Sequence, residues 1–214
     1  MSGSPSGVSL VLLAAGSGSR FGGKPGGKLL ADYGGASLVE ATLSAMDSAP
    51  VDEVIVVAGA RAEELRDACE PYGAWVAENP RWAEGMSTSV KRGLEACRTE
   101  ARAAVIALAD QPLVGAREVE RLVDAFGGGA QAAVATYDGE RRNPALFSRT
   151  LWPLLMEEMS GDAGARSVLR SRPGLVTEVP CDEVADPSDV DTVEDLRRLE
   201  ARAVPAAGRE RRSR

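Results

Sequence analysis

Apolar residues fall into short blocks separated by segments of helical spacing. Residues 8–15 form an apolar stretch of strand length, with Ser9 its one polar position, that leads into glycine. This is the pattern of a strand buried on both faces and followed by a ligand loop. Residues 54–58 and 103–109 have the same character, 75–77 and 176–179 are shorter strands, and 132–136 and 145–147 complete the set. Between them the spacing predicts helices. Ser37-Leu-Val-Glu40 has the form of a capping box and opens a helix carrying Leu38, Leu43 and Met46. Further helices are expected over 62–70, 87–97 (Val90, Leu94 and Cys97 on one face), 117–126, 151–159, 163–169 and 192–203. The glycines at 127–129 read as a loop inside one domain. Strands alternating with helices predict an α/β fold, a Rossmann-like three-layer sandwich whose mixed sheet is mostly parallel. Ligands of such sheets sit beyond the carboxyl ends of the strands, where the glycine-rich loop, Asp110 and the 186–191 segment could all lie. One domain over 8–203 is expected, between a small polar leader (1–7) and an Arg-rich tail (204–214), both read as disordered.

Composition narrows the chemistry. Of 214 residues, 44% are hydrophobic and only 4% aromatic, so Ala, Val and Leu must build the core. The net charge of −7 argues against nucleic acid as the main partner, because phosphate neutralisation dominates such binding. It leaves room for a small phosphorylated ligand held by a few local cations. The absence of histidine removes Ser-His-Asp and Cys-His catalysis and every histidine metal site. Cys69, Cys97 and Cys181 are scattered and form no C-x-x-C pair, as expected of reduced thiols. The run at 8–15 is too short to span a membrane and lacks the basic start of a signal peptide, so a cytoplasmic protein is expected.

The loop Leu13-Ala-Ala-Gly-Ser-Gly-Ser-Arg20-Phe-Gly-Gly-Lys-Pro-Gly-Gly-Lys28-Leu-Leu30 admits three phosphate-binding patterns. The dinucleotide fingerprint requires a third glycine where Phe21 stands. The P-loop pattern fits Gly22, Gly27 and Lys28, but Leu29 replaces the hydroxyl residue that holds magnesium, and Pro25 removes an amide from the cradle. The third pattern, L-A-A-G-x-G-x-R followed by Lys and apolar residues, fits throughout. Ala14, Ala15, Gly16 and Gly18 let the backbone approach a nucleotide. Arg20 offers a planar fork to phosphate oxygens and Lys28 a point charge.

A triphosphate in use calls for a divalent cation, and magnesium takes oxygen ligands, often one or two carboxylates with phosphates. Asp110 ends the most apolar strand and is either such a ligand or the cap of the Asp-Gln-Pro turn. In the run from Asp186 to Asp195, Thr192 or Asp191 could cap the last helix, with Glu194 and Asp195 favoured by its dipole. Asp191 is the better metal candidate there and Asp189 the second.

Taken in order, LAAGSGSRFGG with KLL, NPRWAEGMSTSVKRGL, ALADQPLV, RRNPALF, SGDAGAR and DVDTVEDL resemble the MobA-like nucleotidyltransferases over residues 8–199, most closely the molybdenum cofactor cytidylyltransferases. The resemblance implies a cytoplasmic enzyme that uses Mg2+ to move a nucleoside monophosphate from an NTP to a small phosphorylated acceptor such as molybdopterin. It implies Arg20 and Lys28 as catalytic cations, and Ala14, Ala15, Gly16, Gly18, Gly85 and Ser89 around the nucleotide. Asp110 and Asp191 would hold the metal, and Asn143 and Asp162 would lie on the acceptor side. The Ala-Ala-Gly form resembles the cytidylyl rather than the guanylyl members, so CTP is expected over GTP, with a molybdoenzyme as a possible recipient partner. Two departures stand out. The Arg20–Lys28 interval is longer than usual, leaving Lys24 as an alternative phosphate cation, and Arg142 precedes Asn143-Pro144 where glycine is common. Two other activities share the same motifs: transfer to a sugar or polyol phosphate, and non-catalytic chaperoning of the cofactor.

Overall fold

The structure is a computed structural model that describes residues 6–16, 18, 20–21 and 27–203. Leader residues 1–5, Lys24 and the tail from 204 lie outside the described residues, as do the expectations placed on them. In chain order the main elements are β1 (Val8–Ala14), β2 (Asp32–Tyr33), β3 (Ala36–Ser37), α1 (Leu38–Met46), β4 (Glu53–Ala58), α2 (Ala62–Cys69), β5 (Trp75–Glu78), α3 (Met86–Ala96) and β6 (Ala103–Leu108). They continue with α4 (Ala116–Gly127), β7 (Ala132–Tyr137), β8 (Glu140–Ser148), α5 (Trp152–Glu158), α6 (Gly164–Ser171), β9 (Val176–Pro180) and α7 (Val193–Ala203).

Seven strands form one sheet in the order β5-β4-β1-β6-β8-β7-β9, and β2 pairs with β3 apart from it. β1 runs parallel to both β4 and β6, in register from Leu10↔Val54 to Ala14↔Ala58 and from Val8↔Ala103 to Leu13↔Leu108. β8 alone is reversed, antiparallel to β6 and β7, and β9 returns parallel to β7. The mixed, mostly parallel sheet follows. From β1 the chain proceeds outward through β4 to β5 and then crosses back over α3 to β6. Strand order therefore reverses between β1 and β6, and the crevice at such a reversal is where open α/β sheets take ligands.

The alternation of side chains on β1 explains why both its faces are apolar. Leu10, Leu12 and Ala14 join one core, with Leu38, Leu43, Leu65, Leu122 and Leu199. Val11 faces the other, with Val90, Leu94, Phe147, Trp152 and Leu155. Nearly every position of the strand is buried, and its polar residue, Ser9, is buried with its hydroxyl donating to Glu53 Oε1. On the second face α3 lies close to the sheet because Gly93 has no side chain. A Cβ there would stand 2.3 Å from Val11 Cγ1 and 3.1 Å from Val57 Cγ2. The contact fixes where the amino end of α3 projects.

Local signals set most helix starts. The Ser37 amide donates to Glu40 Oε2 at 2.7 Å, and Ser37 Oγ accepts from the Glu40 amide. At α7 the Asp195 amide donates to Thr192 Oγ1 at 3.1 Å and the Thr192 amide to Asp195 Oδ2 at 2.9 Å, so Thr192 is the cap and Asp191 is left outside it. α3 departs from expectation. It begins at Met86, one residue early, and its cap is Gly85, with no side-chain bond. The weak strand expected at 145–147 extends over Glu140–Ser148, because pairing on both edges overrides the charge of its first half.

Candidate active site

At the carboxyl edge of β1 and β6 lies a cavity of about 560 Å3. Its floor is the end of β1 and the loop after it: Ala14, Ala15, Gly16 and Gly18 all line it. Gly18 adopts φ +60°, a left-handed conformation that glycine takes without strain. Arg20 and Lys28 enter from the same loop, and Asp110 and Asp191 from the two distant acidic segments.

The four charged side chains meet. Lys28 Nζ lies 2.5 Å from Asp110 Oδ2 and 3.8 Å from Asp191 Oδ1, and Arg20 Nη1 lies 2.6 Å from Asp191 Oδ2. Lys28 is 11% exposed and Asp110 21%, so this pair sits in a largely dry corner where its attraction exceeds that of a surface pair. Asp110 gains its position from β6, whose preceding residues 103–107 are all buried. Asp191 gains its position from the Val190 amide, which donates to the Asp110 carbonyl at 2.9 Å. The glycine turn and both aspartates thus stand on one side of the sheet edge.

The donor set suits a magnesium-type ion. One ammonium lies within 4 Å of both carboxylates, so Asp110 and Asp191 converge on a point that a single cation can occupy. Among the described residues no group of three or more His, Cys, Asp or Glu gathers to hold a metal. Two carboxylates completed by phosphate and water are what magnesium takes in nucleotide sites, whereas a calcium or zinc cage needs more protein ligands. Asp189 carries a raised pKa. Withdrawal of its carboxyl from water is the main cause, and repulsion from Asp110 adds to it.

The opposite wall is the amino end of α3. Gly85 and Ser89 line the cavity, as do Trp82 and Met86. Ser89 is buried, and its Oγ accepts from Asn79 Nδ2 at 3.0 Å. The same amide donates to Thr88 Oγ1 at 2.9 Å, and Asn79 Oδ1 accepts from the Arg81 amide. The Asn79 side chain thus ties the 79–82 loop to the first turn of α3. Gly85 takes φ +115°, and a Cβ there would lie 2.6 Å from the Gly161 carbonyl carbon and 2.9 Å from Asp162 Oδ1. The 161–164 turn can seat itself on α3 only because this residue is glycine.

A second cavity, of about 710 Å3, adjoins the first and shares Leu13, Met86 and Asp162 with it. Its floor is apolar, from Val90, Ile106, Val134, Ala145 and Phe147. Its rim carries Asn143 and four arginines, Arg141, Arg142, Arg166 and Arg170. Arg141 pairs with Glu178 at 2.7 Å, whereas Arg142, Arg166 and Arg170 form no ion pair among the described residues. Of the residues singled out from sequence, those for nucleotide and metal surround the first cavity, and Asn143 stands in the second. Asp162 lines both. From sequence, Trp82 and Met86 receive no role. Arg142 is noted there only as a departure from the family pattern, and Arg141 and Arg166 are met only inside the RRNPALF and SGDAGAR motifs, because these arginines come from a strand and a helix that only folding brings together.

The chain is similar to known proteins over most of its length. Residues 10–177 match the family model described as MobA-like NTP transferase domain. A relative named nicotine blue oxidoreductase, from Paenarthrobacter nicotinovorans, is 38% identical over 200 residues, covering 90% of this chain and 96% of the relative. Among solved structures, the Rv0371c homologue from Mycobacterium sp. strain JC1 superposes with TM-score 0.79 at 32% identity, over 92% of this chain and 97% of that one. Rv0371c from Mycobacterium tuberculosis H37Rv, in complex with manganese, gives TM-score 0.74 at 30% identity, over 92% and 99%. Among the described residues no helix is long and apolar enough to cross a membrane.

Proposed function

Because the chain belongs to the family of MobA-like NTP transferase domains, we propose that it transfers a nucleoside monophosphate, CMP by preference, from an NTP to the phosphate of a small ring-bearing acceptor of the molybdopterin type. The observation that carries this reading is the convergence of Lys28, Arg20, Asp110 and Asp191 on one cavity whose floor is a glycine loop. An acceptor phosphate oxygen attacks the α-phosphorus in line, the bond from that phosphorus to the β-phosphate bridging oxygen breaks, and pyrophosphate leaves. A phosphate nucleophile is already anionic at neutral pH, so the lack of histidine is no obstacle. Asp110 and Asp191 would hold a magnesium ion, which when bound neutralises phosphate charge and orients the triphosphate. Lys28 and Arg20 transfer from their carboxylate partners to phosphate oxygens and stabilise the charge that builds on the leaving group. Ala14, Ala15 and Gly16 lie against the nucleotide backbone. Gly85 and Ser89 face the base, with Ser89 oriented by Asn79.

The second cavity supports the acceptor class. An apolar floor accommodates a flat heterocycle better than a sugar or polyol, and Arg142 and Arg166 at the rim match an anionic substituent. The uncapped amino end of α3 borders both cavities through Met86 and favours negative charge where they meet. The test is incubation with CTP or GTP, magnesium and a panel of phosphorylated acceptors, followed by pyrophosphate assay and product mass. Cytidylylated molybdopterin is expected. A cofactor chaperone would bind the acceptor without releasing pyrophosphate, and a sugar-phosphate enzyme would label the polar acceptors. A second reading rests on the 38% relative, named an oxidoreductase of nicotine blue. Under it, the chain changes the absorbance of that dye in the presence of a reductant without consuming NTP.

A further inference from the structure

Gln111 follows Asp110 and is 3% exposed. It does not line the nucleotide cavity, so its work lies elsewhere. Its Nε2 donates to the Pro187 carbonyl at 2.9 Å and to Asp189 Oδ1 at 2.8 Å. Its Oε1 is buried with no partner among the described residues. The orientation of the amide is thereby fixed: turned over, it would set its oxygen against a carbonyl and a carboxylate. Both amide hydrogens are committed to one segment that is more than 70 positions away in sequence. A third bond acts beside them, from the Val190 amide to the Asp110 carbonyl. Residues 187–190 are thus fastened to the end of β6, and the next side chain along is Asp191, which meets Lys28 and Arg20. Asp189 does not line the nucleotide cavity.

We propose that Gln111 and Asp189 are positioning residues: the hydrogen bond between them clamps the 187–190 segment to β6 and so sets Asp191 opposite Asp110, with Asp189 serving the clamp and not the metal. This rests on the reading that Asp110 and Asp191 hold the metal of a metal–nucleotide complex. Partners of this kind, which orient a ligand without touching the ion, typically alter metal affinity by about 10–100-fold when lost.

The test uses the full chain and three substitutions: Gln111→Met, which keeps the bulk and loses the donor; Asp189→Ala, which loses the acceptor; and Asp189→Asn, which keeps an acceptor oxygen and loses the charge. Two quantities are read: hydrogen exchange of the Val190 amide, and affinity for manganese–CTP by electron paramagnetic resonance. Gln111→Met and Asp189→Ala are expected to speed Val190 exchange and weaken manganese–CTP binding about 10–100-fold. Their combination should be no worse than Gln111→Met alone, because that change already removes the bond to Asp189 together with the one to Pro187. Asp189→Asn should stay near wild type in both. If Asp189→Asn binds as weakly as Asp189→Ala, Asp189 acts through its charge and the proposal is overturned. Unchanged Val190 exchange in Gln111→Met overturns it as well. The expected exchange pattern in a chain that binds no manganese–CTP would keep the clamp and overturn its link to a metal, and with it the nucleotide reading.

Discussion

The two cavities at the sheet edge share Leu13, Met86 and Asp162, and they handle charge in opposite ways. In the first cavity the cations and carboxylates stand against one another: Lys28 lies within 4 Å of both aspartates and Arg20 pairs with one. In the neighbouring cavity four arginines stand with Glu140, Asp162 and Glu178 around an apolar floor, and Arg142, Arg166 and Arg170 form no ion pair among the described residues. Under the proposed function the first arrangement exchanges partners: a metal–triphosphate brings a cation for the carboxylates and anions for Lys28 and Arg20. Under the same proposal the second receives the apolar body and acidic group of the acceptor, so that the chemistry is assigned to the first cavity and the choice of acceptor to the second.

Substitutions separate the two, and the largest effect is expected in the first. Asp110→Ala and Lys28→Ala should each lower turnover by about 100–1,000-fold in a pyrophosphate-release assay, with circular dichroism unchanged. Next comes the rim. Arg142→Ala combined with Arg166→Ala should raise the acceptor KM about 10–100-fold, the loss expected for charge-assisted hydrogen bonds, while the KM for CTP stays put. A rise in the CTP KM instead would erase the distinction between the cavities.

The residues of the first cavity were legible in the sequence, whereas of the second only Asn143 and Asp162 were, for a physical reason. A loop that cradles phosphates needs small residues and cations at fixed short spacings, so residues 13–28 carry the signal in one stretch. Asp110 and Asp191 were legible because each interrupts or follows an apolar pattern where a carboxylate has no packing role. The floor of the second cavity is made of Val90, Ile106, Val134 and Phe147, which look like any core residues until the fold leaves one side of them uncovered. Its arginines are spread over 141–170 and gain meaning only from the β8–α6 arrangement. Gln111 hid in the same way, because one buried amide has no periodicity. The strand and helix pattern was legible nearly throughout. The reversed direction of β8 was not, since alternation records which face is buried and not which way the strand runs.

Smaller effects sharpen the comparison. α3 walls both cavities, and its position depends on Gly93 against Val11. Gly93→Val should cost about 1–3 kcal/mol by overpacking, measured by urea denaturation, and should disturb both KM values together. Glu118 serves as the control far from either cavity. It is buried, accepts from the Gly115 amide at 2.7 Å, and has a pKa raised mainly by that burial. Its ionised form is the disfavoured one in the fold, so its contribution to stability is fullest at low pH and falls as pH rises through the raised folded value. Glu118→Gln keeps the acceptor and removes the charge. It should raise Tm by about 2–4 °C at pH 8, have little effect at pH 4, and leave both KM values unchanged.

The central claim is that one metal–triphosphate bridges the glycine loop and the two aspartates. Titration of manganese–CTP followed by electron paramagnetic resonance tests it most directly, on the wild-type chain and on Asp110→Ala and Asp191→Ala. The account predicts one bound equivalent for the wild type and a weakening of about tenfold or more for each variant. Wild-type affinity in both variants would contradict it.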